Sequence, residues 1–235
     1  MRITSAGSLQ VGNVAGNADL HTAGGAIRTG VINGKVIADA AGGAIYIQGA
    51  HGEATLNADA EIYIGDAAKI VANSAGGSIT NTKVRGSFWG HTDSGDIRLD
   101  AAGGWVEAST GQGTIICRLV PDDLNGDLHV DLQTGVGDIT IYIPERYRGT
   151  VETVIERPAL SAQRIVSDFP MNGLASTATN MDPRAGRNRR ISLPPPINRF
   201  SSPDRQQFMI NGGGNPVKLH SSLGTIHILK IHVGN

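Results

Sequence analysis

The chain restarts itself about every nine residues, and this recurrence limits its fold more than any other feature. Turn residues open thirteen units: Gly7, Gly16, Gly25, Gly34, Gly43, Gly52, Ala60, Lys69, Gly77, Gly86, Gly95, Gly104 and Gly113. Two positions after each stands an apolar residue: Leu9, Ala18, Ile27, Val36, Ile45, Ala54, Ile62, Val71, Ile79, Phe88, Ile97, Val106 and Ile115. Eleven of the thirteen openings are glycine, so the corners call for a backbone that a Cβ would obstruct. Between corners, apolar residues alternate with others, as in Ile45-Tyr46-Ile47 and Ile97-Arg98-Leu99, which is the strand period. Nine residues give about five of strand and about four of corner.

Alternate units resemble one another most. Gly24-Gly25-Ala26-Ile27, Gly42-Gly43-Ala44-Ile45 and Gly76-Gly77-Ser78-Ile79 form one class, and the units between them read Gly-Lys-Val, Gly-Glu-Ala and Gly-Ser-Phe. Likeness at about eighteen residues places i over i+18. The expected fold is therefore all-β: a β-solenoid, similar to a right-handed parallel β-helix, of two-strand coils about 4.8 Å apart. An antiparallel meander would instead bring neighbouring nine-residue units into contact. Regular coils are expected over 7–117, irregular ones over 118–156, a Pro/Arg-rich excursion over 157–205 and closing strands over 206–235, as one domain.

Composition fits a thin core. Only 4% of the 235 residues are aromatic, so the interior must be Ile, Val, Leu and Ala, with Leu9, Val11, Ala18 and Leu20 serving the first coil. Cys117 is the sole cysteine and takes an inward position, which predicts a buried structural thiol. A net charge of −1 gives no bulk attraction to nucleic acid, and no partner of that kind is expected. No apolar run is long enough to cross a membrane. No apolar signal region follows Met1, which leaves a cytoplasmic chain and a processed envelope protein both open. No obvious element caps residues 1–24, and an uncapped edge invites end-to-end pairing of copies.

If the apolar residue of each unit points inward, its successor points out. One outward column then reads Arg28, Tyr46, Tyr63, Thr80, Arg98, and the other Ile37, Thr55, Ala72, Trp89, Glu107. Arg28, Tyr46, Tyr63, Arg98 and Trp89 form the candidate ligand or partner surface, since stacked aromatics beside polar groups suit sugar rings or partner chains. The alternative is that the tyrosines stack for stability. Arg184, Arg187, Arg189 and Arg190 form a candidate basic loop, with solvated loop residues as the alternative. His21 and His91 are placed near corners, His129 and His227 on outward strand positions. No metal motif, nucleophile elbow or phosphate loop is present, and neither a cofactor nor a metal is expected. Asp122, Asp123 and Asp127 read as turn aspartates rather than calcium ligands. Asp96, Arg98 and Asp100 are the nearest approach to a glycan-cleaving site, without a partner carboxylate at bond-cleaving separation.

The repeated Ser/Ala-Gly-Gly/Asp-x-Ile signature resembles a bacterial adhesin family of β-strand-repeat envelope proteins, also called toast-rack domains. The likeness includes Thr134-Gly135-Val136-Gly137-Asp138-Ile139 and Ser167-Asp168-Phe169-Pro170. It closes with Asn211-Gly212-Gly213-Gly214 and the run Ser221-Ser222-Leu223-Gly224-Thr225-Ile226-His227-Ile228, its most specific part. It covers nearly the whole chain. It implies a β-helix-like stack, no catalytic residues and a place at the cell envelope, periplasmic or extracellular. The expected function is a non-enzymatic structural or adhesion protein that offers a repetitive face to an envelope protein or glycan. The alternatives are a filament subunit stacking through its ends and a polysaccharide-acting β-helix enzyme.

Overall fold

A computed structural model of the chain describes residues 1–157, 164–171 and 204–231. These residues are all β, without a helix, and their strands form one curled, mainly parallel sheet. The early strands are β1 (Arg2–Ser5), β2 (Leu9–Val11), β3 (Ala18–Thr22), β4 (Ile27–Ile32) and β5 (Val36–Ala40). Two long ones follow, β6 (Ile45–Ala58) and β7 (Ile62–Ser74). Then come β8 (Ile79–Val84), β9 (Phe88–Ser94), β10 (Ile97–Ala102), β11 (Val106–Gln112), β12 (Ile115–Leu119) and β13 (Val130–Val136). The last six are β14 (Ile139–Pro144), β15 (Gly149–Ile155), β16 (Ile165–Ser167), β17 (Asp204–Ile210), β18 (Asn215–Leu223) and β19 (Ile226–Ile231).

The pairings resolve into two ladders that share β6 and β7. The first runs β2, β4, the start of β6, the start of β7, β8, β10, β12, β14, β19, β16. The second runs β1, β3, β5, the ends of β6 and β7, β9, β11, β13, β18, β15, β17. Ile27 lies over Ile45, Ile45 over Ile62, Ile79 over Ile97 and Ile97 over Ile115. Residues about eighteen apart thus share an environment, and contact between neighbouring nine-residue units is not the pattern. Inward residues of both ladders, from Ala18 to Ile228, form one apolar cluster. Leu9 and Val11 pack only partly buried against it, while Ala18 and Leu20 lie inside. Cys117 is fully buried, and burial alone pushes its thiol up to about 12.

The recurring glycines have a steric cause. Gly77, Gly95, Gly113, Gly137 and Gly224 stand in one corner column, each against the backbone of the one before. A Cβ on Gly95, whose φ is +147°, would lie 2.6 Å from the Gly77 carbonyl. The layers stack at strand spacing through their corners as well as their strands, so no side chain fits between.

A hydroxyl closes the first four of these five corners from inside. Thr92 donates to the Gly77 carbonyl at 2.9 Å, Thr110 to Gly95 at 2.9 Å, Thr134 to Gly113 at 2.8 Å and Ser221 to Gly137 at 3.1 Å. All four donors are buried. Replacing Thr110 by the isosteric Val should cost about 1–2 kcal/mol, because a partly buried carbonyl loses its donor. Thermal unfolding should fall by roughly 2–8 °C, while Thr80→Val, on the outer face, should leave it unchanged. Equal melting of the two variants would remove the clasp from the account.

Four sequence expectations need correction. Ile70 and Ala72 are buried while Val71 lies half-exposed in register with Trp89. The unit therefore opens at Ala68, not Lys69, and Val71 replaces Ala72 in the outward column. The reason is an irregularity between Ala50 and Glu53, where the β6–β7 pairing shifts register and shortens the layer. The excursion is broken by β16, which pairs with β19 through Ile165 and Ile226. Arg184, Arg187, Arg189 and Arg190 lie outside the described residues. His21 lies near a corner as the last residue but one of β3, but His91 sits in the middle of β9, and His129 precedes β13 rather than standing on a strand.

The fourth correction concerns the closing strands, which enter the stack rather than extend it. From β14 the chain passes to β15, leaving one place empty beside β13. It goes on to β16 and then to β17, which runs antiparallel to β15 and covers that end of the second ladder. Residues 211–214 carry the chain back across the start of β15. β18 then fills the place between β13 and β15, and β19 the place between β14 and β16. The crossing is tight. A Cβ on Gly214, whose φ is +156°, would lie 2.6 Å from the Arg148 carbonyl oxygen. Asn211, at φ 49°, donates from Nδ2 to the carbonyls of Glu145 and Tyr147 at 2.8 and 2.7 Å, pinning the bridge.

Candidate binding face

Outward residues follow the register of the strands beneath them. On the first ladder Arg28 lies beside Tyr46, Tyr46 beside Tyr63, Tyr63 beside Thr80 and Thr80 beside Arg98. Trp89 is on the second ladder, between Val71 and Glu107. The five candidate residues therefore do not form one site. The tyrosine column and Trp89 look out from different ladders.

The tyrosine column is largely satisfied by its own neighbours. The Arg28 guanidinium carbon lies 4.7 Å from the centroid of the Tyr46 ring and occupies one face of it. The Tyr46 hydroxyl donates to Glu61 at 3.0 Å, and this bond to a carboxylate raises the Tyr46 pKa above its ordinary value. The Tyr63 hydroxyl meets Thr82 at 3.3 Å. Arg98 donates to Asp100 at 2.8 Å. Asp96 stands apart from that pair, at the corner, where its Oδ1 accepts the Thr114 amide of the next layer at 2.7 Å. Asp138 accepts the Thr225 amide in the same way at 2.7 Å. These carboxylates tie layers together.

The outer face of the second ladder is different. Two outward columns stand two residues apart along each strand. One reads Trp89, Glu107, Asp131, Lys218, Glu152, and the other His91, Ser109, Gln133, His220, Val154. Between them lie two shallow hollows, one floored by Gly90 and Ala108 and the other by Leu219, which meet at Asp131 and Gln133 and together make a groove. Gly90 has to be small, since an added Cβ would lie 2.5 Å from the Phe88 ring in the core.

The groove's polar groups are only partly paired. Gln133 donates to Asp131 at 2.9 Å, and Glu107 approaches His129 at 3.5 Å. Among the described residues, Trp89, Glu152 and Lys218 have no side-chain hydrogen bond or ion pair, although Glu152 and Lys218 are register neighbours. Beside the groove, Asp127 accepts from His129 at 2.7 Å, a bond that holds its carboxyl below the usual range. His129 stacks on Trp105 with ring centroids 5.2 Å apart. Glu156 is lowered likewise, first by the Ser222 hydroxyl and then by His220.

Sequence reasoning placed Trp89 and Glu107 in one column and missed Asp131, Lys218 and Glu152. Corner 120–129 lengthens the step from Val106 to Val130 to twenty-four residues, and the column then jumps to β18 before β15. The recoverable signal was the alternation in Val130-Asp131-Leu132 and Val217-Lys218-Leu219.

Among the described residues, no group of three or more His, Cys, Asp and Glu side chains could hold a metal ion, and no helix is long and apolar enough to cross a membrane. No family model matches the chain, and no curated protein or solved structure matches it either.

Proposed function

We propose that this chain is a β-solenoid recognition scaffold: a non-enzymatic structural or adhesion protein of the bacterial cell envelope that offers a repetitive outer face to a protein or glycan partner. The observation that carries this reading is the groove of the second ladder, where polar and aromatic groups are held in register at one strand spacing and left partly unpaired. A parallel stack suits the task, because every layer fixes the next through backbone bonds and the outward side chains become a ruled surface. The place at the envelope rests on the resemblance of the glycine-rich repeats and closing strands to bacterial adhesin repeats.

The test is sedimentation of the purified chain with an envelope fraction from a bacterium. Saturable binding is expected, and it should survive Tyr46→Ala with Tyr63→Ala if the tyrosine column serves stability. Binding abolished by that pair in a variant of normal melting would move the partner site to the first ladder. Absence of saturable binding would overturn the reading.

A second reading, assembly of copies through edge strands, draws on β17. Its outer edge pairs with no further strand among the described residues, and Met209 on it is 46% exposed. Light scattering that shows mass rising with concentration would favour it.

A further inference from the structure

The geometry points to an amino-bearing linear glycan as the occupant of the second-ladder groove, a proposal that rests on the recognition reading above and names its ligand class. Shape comes first. The groove crosses β9, β11, β13, β18 and β15, about 20 Å along the stacking direction at strand spacing. Its two walls are separated by two residues of strand, roughly 7 Å. That is room for one extended chain lying along the stack, and too narrow for a helix.

Chemistry comes second. The half-buried Trp89 indole heads the groove and offers an apolar platform for a sugar ring, with an N–H that has no partner among the described residues. Glu107, Asp131 and Glu152 follow as acceptors against one cation, Lys218. Carboxylates accept from hydroxyls and pair with ammonium groups, and they repel uronate, sulfate and phosphate. Ser109 and the Gln133 amide line the same trough. An aromatic platform followed by acceptors at one and two strand spacings fits a chain of rings that carries hydroxyls and amines. On the outer face of an earlier part of the same ladder, by contrast, Lys35 and Lys69 both pair with Glu53, at 3.3 and 3.0 Å.

The experiment is isothermal titration of the full chain with four probes: a β-1,4-linked glucosamine hexamer, the matching glucose hexamer, a galacturonate hexamer and hexalysine. The glucosamine hexamer should bind at least tenfold more tightly than the glucose hexamer, and galacturonate should give no heat. Trp89→Ala should weaken glucosamine binding by tenfold or more, and Glu107→Gln with Asp131→Asn should bring it down to the glucose level. Tyr63→Ala, on the other ladder, should change nothing. Circular dichroism melts identify any variant that has lost the fold, and the double amide variant then stands in for Trp89→Ala.

Hexalysine binding that equals glucosamine binding and survives Trp89→Ala would overturn the proposal in favour of a cationic peptide. Galacturonate binding, or no binding of either neutral or amino hexamer, would overturn it outright. If envelope sedimentation still succeeds after that failure, the recognition reading stands and the partner is not this glycan. If both fail, both fall.

Discussion

A chain that stops after Gly214 is expected to lose the packing of β15, β16 and β17 while the layers from β1 to β12 stay intact. β18 and β19 carry Val217, Leu219, Ile226 and Ile228, each 1% exposed or less. Burial of each is worth roughly 1.5–3 kcal/mol, on the order of 10 kcal/mol together, which is comparable to the net stability of a whole domain. The position of these strands matters more than their size. Between β13 and β15 and between β14 and β16 they supply both neighbours' backbone partners. Without them β15 and β17 keep only each other, and β16 loses its strand partner. Limited proteolysis should therefore cut the truncated chain between residues 145 and 171 while sparing residues before 120. Full resistance would mean that β15 closes directly onto β13, and the inserted layer would then be dispensable.

The second large effect is Ile45→Asp. Ile45 is fully buried, with Ile27 on one side and Ile62 on the other. A carboxylate there has no donor within the aliphatic column. Loss of the apolar side chain and enforced desolvation together should cost about 5 kcal/mol or more. Thermal unfolding should fall by at least 10–20 °C, at roughly 2–4 °C per kcal/mol in a chain of this size. The sign with pH is a check on the cause. Burial raises the folded-state pKa of the new carboxyl above its unfolded value, so the variant regains stability as pH falls through that raised pKa. The deficit relative to the parent should be smaller at pH 5 than at pH 8. A deficit that ignores pH would indicate lost packing alone, and parental melting at both would place residue 45 outside the core.

The sequence was most legible where local chemistry repeats. Glycine spacing and Ile-x-Ile alternation located the corners, the inward residues and the eighteen-residue step, and Cys117 fell inside as its parity required. Ile70-Val71-Ala72 was misread because three apolar residues in a row carry no parity, and the register shift after Ala50 is a property of paired strands. The clasping hydroxyls were legible but unread: Thr92 and Thr110 each stand fifteen residues after the glycine they bind. The insertion of β18 and β19 could not be read at all. Val217-Lys218-Leu219 has the same pattern as Val130-Asp131-Leu132, so the strand fits any place in the ladder. What selects its place is the reach of residues 211–214 across β15, a tertiary constraint without a local signature. For the same reason the groove could not be assembled beyond Asp131.

The bridge over β15 also sets a clock. During synthesis the chain emerges from its N-terminus, and β1 to β13 can stack in the order in which they are made, each new layer finding the last one ready. That sequence stops at β15, whose inner neighbour has not yet been made. β15, β16 and β17 must wait, with apolar residues such as Val151 and Ile165 unmatched, until β18 and β19 have been translated. β18 and β19, made after β15, β16 and β17, are thus the strands that admit those three to the fold, and this part of the stack closes out of the order in which it is made.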